Sequence, residues 1–232
     1  MATVRQGVSG RPPEYDVNKV SPEDIANELA LLQLGDVIPL DIKIDTQLLN
    51  NELRLVESDW QPYLPRNDRP NNRFGLSVTT FPGYDHTSAP SLAEISVEQN
   101  RRVSETECRQ PTEVYHTCRS LHPLLNLFPF LGRTFFVRSD IGGYFVPHRD
   151  HPSMPRDVFR LIVFAKNCGM YEYDWLMDDR KLPIEEGRVY YVNTRKMHRT
   201  ISWVNGSTHL ILNVPFNSEN VGKVISHLQH RH

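Results

Sequence analysis

Phe145-Val146-Pro147-His148-Arg149-Asp150 is the stretch on which the reading of this chain turns. It closes a short strand-like run after the turn Gly142-Gly143. Side chains alternate along an extended segment, so His148 and Asp150 project to one side and Arg149 to the other. A histidine and a carboxylate placed this way can grip one metal ion. A His-X-Asp pair alone is commonplace, and its setting has to carry the reading. Several strand-like segments follow, and His198 then precedes Arg199-Thr200-Ile201-Ser202-Trp203-Val204, which leads into the hairpin signal Asn205-Gly206.

Two imidazoles and one carboxylate, from His148, Asp150 and His198, leave coordination positions open for other ligands. That set suits a non-heme Fe(II) centre of the oxygen-using kind. A closed structural zinc site would take four ligands, usually with cysteine. Cys108, Cys118 and Cys168 stand far along the chain from that motif, are odd in number and lack a Cys-X-X-Cys pairing. They fit a reducing compartment, as small packed or surface residues and not as nucleophiles.

Outward from the motif, the pattern after Gly132 is a succession of strands: Thr134 to Arg138, Gly143 to His148, Phe159 to Asn167, Tyr171 to Trp175, Gly187 to Asn193, Arg199 to Val204, and Ser207 to Phe216. Short strands divided by turn residues, with no helices between them, indicate a β-sandwich or barrel. With a metal in its mouth, a jelly roll fits best. Upstream, Ser21-Pro22-Glu23-Asp24 starts a helix that runs through Ile25, Leu29 and Leu32 to Gly35. A second helix spans about Asp45 to Glu57, with Leu48, Leu49, Leu53 and Val56 on one side. Residues 61–72 form a loop, Phe74 to Phe81 a strand, and Pro111 to Leu125 a helical stretch interrupted at His122-Pro123. His116 and His122 have no partner at metal spacing. The expected organisation is a polar arm at 1–20 and one domain over 21–232. Within that domain, 21–131 is a helical buttress with early strands, 132–218 the jelly-roll core, and 219–232 a helix or tail carrying His227, His230 and His232.

The composition, 39% hydrophobic and 23% charged, is that of an ordinary soluble globular protein. A formal charge of −2 gives no electrostatic case for nucleic acid or membrane partners. No apolar run approaches the ~20 residues that span a bilayer, and the N-terminus lacks a signal-peptide core, so a cytoplasmic location is expected.

The second half, about residues 133–216, resembles the 2-oxoglutarate- and Fe(II)-dependent oxygenases with a double-stranded β-helix (jelly-roll, cupin-like) core. More narrowly it is similar to the aspartyl/asparaginyl β-hydroxylase branch, which includes free proline hydroxylases. The residues carrying the likeness are Val146-Pro147-His148-Arg149-Asp150, the strand Arg160-Leu161-Ile162-Val163-Phe164, the segment Glu185 to Asn193, His198, and Thr208-His209-Leu210-Ile211-Leu212-Asn213-Val214. The resemblance implies Fe(II) held by His148, Asp150 and His198. It also implies 2-oxoglutarate and dioxygen as co-substrates, and hydroxylation of an unactivated carbon of an amino acid, free or in a peptide.

One position departs from that family. Its members usually place an arginine ten residues beyond the distal histidine, against the far carboxylate of 2-oxoglutarate, and here that position is Thr208. A dicarboxylate in a partly dry pocket needs a cation, preferably a guanidinium. Arg160 is the first choice, as it begins a core strand whose alternation with Ile162 faces inward, and Arg138 is the second. Thr208 and Ser207 can add hydrogen bonds. For the substrate, Asn71, Arg73, Arg195 and Arg199 are available, and Tyr173, Trp175 and Trp203 are candidate pocket walls. The competing expectation, favoured by Thr208, is a non-catalytic cupin-like protein that binds a metal or small ligand.

Overall fold

Two nine-residue strands, Val158–Lys166 and Ser207–Pro215, pair antiparallel at the centre of the larger of two sheets in the computed structural model, which describes residues 21–63, 71–87, 89–129, 131–150 and 157–228. The expected arm at 1–20, and His230 and His232, lie outside the described residues. In chain order the elements are α1 (Pro22–Leu34), β1 (Val37–Lys43), α2 (Thr46–Arg54), β2 (Gln61–Pro62), β3 (Arg73–Thr80), α3 (Leu92–Glu98), β4 (Gln110–Pro111), α4 (Glu113–Thr117), α5 (His122–Leu125), β5 (Thr134–Ser139), β6 (Tyr144–His148), β7 (Val158–Lys166), β8 (Tyr173–Met177), β9 (Arg180–Lys181), β10 (Arg188–Val192), β11 (His198–Ser202), β12 (Ser207–Pro215) and α6 (Ser218–Ser226).

The larger sheet has the order β1-β10-β7-β12-β5-β3-β2, with β4 also on β3, and the smaller β6-β11-β8-β9. Every pairing is antiparallel. From β5 to β12 the chain passes between the sheets so that β10-β7-β12-β5 faces β6-β11-β8-β9. That is the strand order of a jelly roll, the expected mainly-β fold. The region expected to be a helical buttress contributes sheet as well. β1 extends the larger sheet at one end and β3 at the other.

The central strands are buried on both faces, which is why they read as continuous apolar runs. Leu161 and Val163 of β7, with Leu210, Leu212 and Val214 of β12, pack outward against Leu31, Leu49, Leu53 and Leu121 from the helical side. Ile162 and Phe164 point inward onto Tyr173, Trp175 and Met177 of the smaller sheet. His209, Ile211 and Asn213 alternate with the outward residues of β12 and share that inward side. Each buried leucine contributes about 1.5–3 kcal/mol, so the outer layer fixes the sheet whose inner face forms the cavity.

The helices differ in detail from the expectation. α1 starts at Ser21-Pro22 as expected, and Ser21 and Asp24 form a capping box there. Its packed side, however, is Asn27, Glu28 and Leu31, while Ile25 and Leu29 are exposed. Leu49, Leu53 and Val56 are buried from the second helical region, and Leu48 is exposed. The stretch after Pro111 breaks into α4, a 3-10 turn and α5, because the second residue of α5 is Pro123, which cannot donate into a preceding helix. Among the described residues, no helix is long and apolar enough to cross a membrane.

Candidate metal centre and its cavity

The smaller sheet aligns the motif residues by pairing. His198, at the start of β11, lies directly across from His148, at the end of β6. Two residues along β11, Thr200 pairs with Phe145, three residues back on β6, so β6 carries a bulge at Val146-Pro147. Proline has no N–H to give to a ladder and is at home in such a bulge. The extra residue has a consequence for direction. Phe145 and His148 are an odd number of residues apart, yet both turn inward, with ring centroids 6.0 Å apart. Beyond the strand, the Asp150 N–H donates to the Thr194 carbonyl at 2.9 Å and fixes the carboxylate near both imidazoles.

One ligand atom each from His148, Asp150 and His198 lies within 4.8 Å of the others. Nε2 of His148 is 3.5 Å from Asp150 Oδ1, and Nε2 of His198 is 3.6 Å from Oδ2. Adjacent ligands bound at 2.0–2.2 Å stand roughly 3 Å apart, so small side-chain movements close the set around an ion. His148 Nδ1–H donates to the Val146 carbonyl at 2.7 Å, and His198 Nδ1–H to the Lys196 carbonyl at 3.0 Å. A carbonyl can only accept, so these bonds set the tautomer and direct both Nε2 lone pairs at the carboxylate. Burial lowers the His198 imidazole below its ordinary value, with the Asp150 charge opposing. The neutral form is the ligating form. These residues fit a divalent ion that keeps open positions.

A cavity of about 750 Å³ contains the cluster and is lined also by Asn71, Arg73, Phe145, Trp175, Thr200 and His209. His198 stacks on Trp175, with centroids 5.6 Å apart and planes 11° from parallel. Trp175 in turn meets His209, which meets Tyr173 at 5.7 Å.

The structure separates the expected co-substrate residues. Arg160 and Ile162 do share the inward side. The Arg160 guanidinium donates to Asp150 Oδ2 and, through Nε at 3.2 Å, to Asn213 Oδ1. Its other nitrogen is 4.0 Å from Glu105 Oε1, a carboxylate buried in an ion pair with Arg133 at 2.8 Å. Arg160 thus stands at the metal end of the cavity. Arg138 and Thr208 pair with one another across β5 and β12 and face the other way, into a separate groove of about 360 Å³. There Arg138 bonds Glu57 and lies over Trp60 and Phe74, and Thr208 donates to the Gly206 carbonyl. Ser207 points between the sheets, where it bonds Ser202 and Asn167.

Of the residues considered for substrate, Asn71 and Arg73 reach the cavity. Arg195 pairs with Glu28, Arg199 with Asp179, and Trp203 with Asp174 on the outside. Trp175 lines the cavity, and Tyr173 packs in the buried cluster behind it. His122 is stacked on Tyr115 and bonded to its carbonyl, away from the cluster. All three cysteines are buried free thiols, and burial raises their pKa values, Cys108 and Cys118 to about 12. None is poised as a nucleophile. Sequence reasoning missed Glu105 and Arg133, whose partnership joins residues 28 positions apart.

No family model matches the chain, and a comparison with curated protein sequences finds no match. Solved structures do match. One is a prolyl-4-hydroxylase from Pseudomonas putida, at 12% identity and TM-score 0.45, covering 84% of this chain and all of that one. A second is a Trichoplax adhaerens prolyl hydroxylase in complex with a hypoxia inducible factor peptide fragment, at 11% identity and TM-score 0.47, covering 89% of this chain and 96% of that one. A third is a 2OG-Fe(II) oxygenase family protein from Burkholderia pseudomallei, at 12% identity and TM-score 0.41, covering 90% and 96% respectively. At these levels the fold assignment stands on the strand order and register above.

Proposed function

We propose that the protein is a non-heme Fe(II)- and 2-oxoglutarate-dependent dioxygenase that hydroxylates an unactivated carbon of an amino acid, free or within a peptide. The observation that carries the reading is the convergence of His148, Asp150 and His198 on one inner face, with both Nε2 atoms directed at the carboxylate. Fe(II), 2-oxoglutarate and dioxygen, when bound, supply the oxidising power that no side chain has. The chain's own part is to position and to shield. Val146 and Lys196 carbonyls hold the imidazoles in their ligating tautomer, Arg160 orients Asp150, and Phe145 and Trp175 wall the cluster against water. Thr208, whose identity favours a non-catalytic binding protein, faces the groove on the other side of the sheet. At that position no side chain reaches the cavity, so a cation for the co-substrate has to come from another strand.

The test is turnover. Purified protein with Fe(II), 2-oxoglutarate and dioxygen is screened against free amino acids and short peptides, with succinate as the readout. Succinate release that needs all three components and disappears in His198→Ala is the expected result. A protein that binds Fe(II) but forms no succinate, with or without added substrate, contradicts the proposal.

A further inference from the structure

Along β11 from His198, the cavity wall and the layer behind it carry polar groups that the fold itself does not use. Tyr173 Oη, Thr200 Oγ1 and His209 Nδ1 are buried and have no hydrogen-bond partner among the described residues. A buried polar atom left unpaired is costly; Thr200 and His209 line the cavity and Tyr173 stands directly behind, its ring 5.7 Å from His209, so the cluster requires an explanation. Burial pushes the His209 imidazole down to about 3, so it is a neutral hydrogen-bonding group and not a cation. The cation here comes from outside the core strands. Arg73 opens β3, pairs with Ser139 at the end of β5, and is 6% exposed. Its guanidinium lies 3.9 Å over the Phe145 ring and lines the same cavity as the metal cluster. Tyr173 stands opposite Ser202, two residues along β11 from Thr200, and its ring meets that of His209.

We infer that Arg73, with Tyr173, Thr200 and His209, binds the far carboxylate of a 2-oxo dicarboxylic acid whose oxo-acid end lies at the metal cluster. The inference rests on the proposed function and replaces the absent final-strand arginine with one from β3. Arg160 is committed to Asp150 and Asn213, and Arg138 faces away. The spacing suits a five-carbon diacid. Thr200 follows His198 by two residues on the same face of β11, a separation of about 7 Å. Gly143 helps to seat Arg73: a Cβ there would stand 2.5 Å from the Asn72 carbonyl, so only glycine lets the turn before β6 close on the start of β3.

The experiment is anaerobic calorimetry of 2-oxoglutarate binding to protein loaded with Mn(II), a metal that binds without turnover. Mn(II) affinity is measured separately. Arg73→Gln is expected to weaken 2-oxoglutarate about tenfold to a hundredfold, the effect of losing a bond to a charged group, and to leave Mn(II) affinity unchanged. Arg73→Lys recovers part of the loss. Tyr173→Phe, which removes one oxygen atom and keeps the ring packing, weakens the diacid several-fold and gives a second reading if Arg73→Gln folds poorly. Equal 2-oxoglutarate affinity in wild type, Arg73→Gln and Tyr173→Phe overturns the inference and leaves the proposed function standing. Mn(II) binding with no 2-oxoglutarate binding to wild type overturns both.

Discussion

Glu105→Gln is the substitution whose effect the structure sizes most directly. The Glu105 carboxylate is 1% exposed and meets Arg133 through two nitrogens, at 2.8 and 3.3 Å, with Arg160 Nη2 at 4.0 Å and Asn213 Nδ2 at 3.4 Å. Burial alone depresses Arg133, and the Glu105 charge outweighs it. At 2.8 Å and an effective dielectric near 20, the charge attraction is about 6 kcal/mol. The cost of deleting one partner of a buried pair is about 3–5 kcal/mol, because a guanidinium is left uncompensated. For a chain of this size that loss lowers Tm by roughly 10 °C. Urea and thermal unfolding at pH 7 measure it. Glu105→Leu combined with Arg133→Met removes both charges and is expected to recover most of the loss. If Glu105→Gln costs under about 1 kcal/mol, or if the double variant is no better than the single, the buried pair does not hold this end of the cavity as described.

Arg138→Ala leaves both Mn(II) and 2-oxoglutarate affinities unchanged in the same calorimetry, since Arg138 faces the outer groove, and costs at most about 1 kcal/mol for its half-exposed pair with Glu57. Weakened 2-oxoglutarate binding there would contradict the assignment of faces. His209 makes stability acid-sensitive. Its folded pKa is depressed, so between about 6.5 and 3 the unfolded chain binds a proton that the folded chain refuses, and stability falls as pH falls through that window. Wild type is expected to lose about 2 kcal/mol between pH 7.5 and pH 5 from this group. His209→Leu removes that part of the loss, as urea titrations at the two pH values report, and an unchanged pH slope would refute the burial argument.

Much of this architecture was legible in the sequence. Seven of the eight described strands from Thr134 to Pro215 begin and end within two residues of their expected places, because short strand-like runs between turn residues mark them; the two-residue β9, Arg180–Lys181, is too short and polar to give such a signal. The alternation that sets His148 with Asp150, and the strand-like run after His198, are local patterns, and from them the three were expected at one metal; the direct pairing of His148 with His198 across β6 and β11 was not read. β1 was not read. Pro39 interrupts it, and it survives because its strand lies at the edge of the larger sheet. α3 was also missed, although Ser91 and Glu94 form a capping box that announces it. Arg73 stands in the sequence only as one of several polar residues available to a substrate beside a loop. Its inward direction depends on a register with β5 more than sixty residues away, which no local pattern encodes. Thr208 shows the same limit. Its position fits the family spacing, and only the β5–β12 pairing reveals that it faces outward.

The central claim is that one ion and one 2-oxo diacid meet at His148, Asp150 and His198. The direct measurement is an anaerobic titration with Fe(II) and then 2-oxoglutarate, followed by visible absorption. A weak charge-transfer band that grows to one equivalent of 2-oxoglutarate in wild type, and is absent in His198→Ala, is the result expected. Iron binding with no such band, or a band that persists in His198→Ala, contradicts the account.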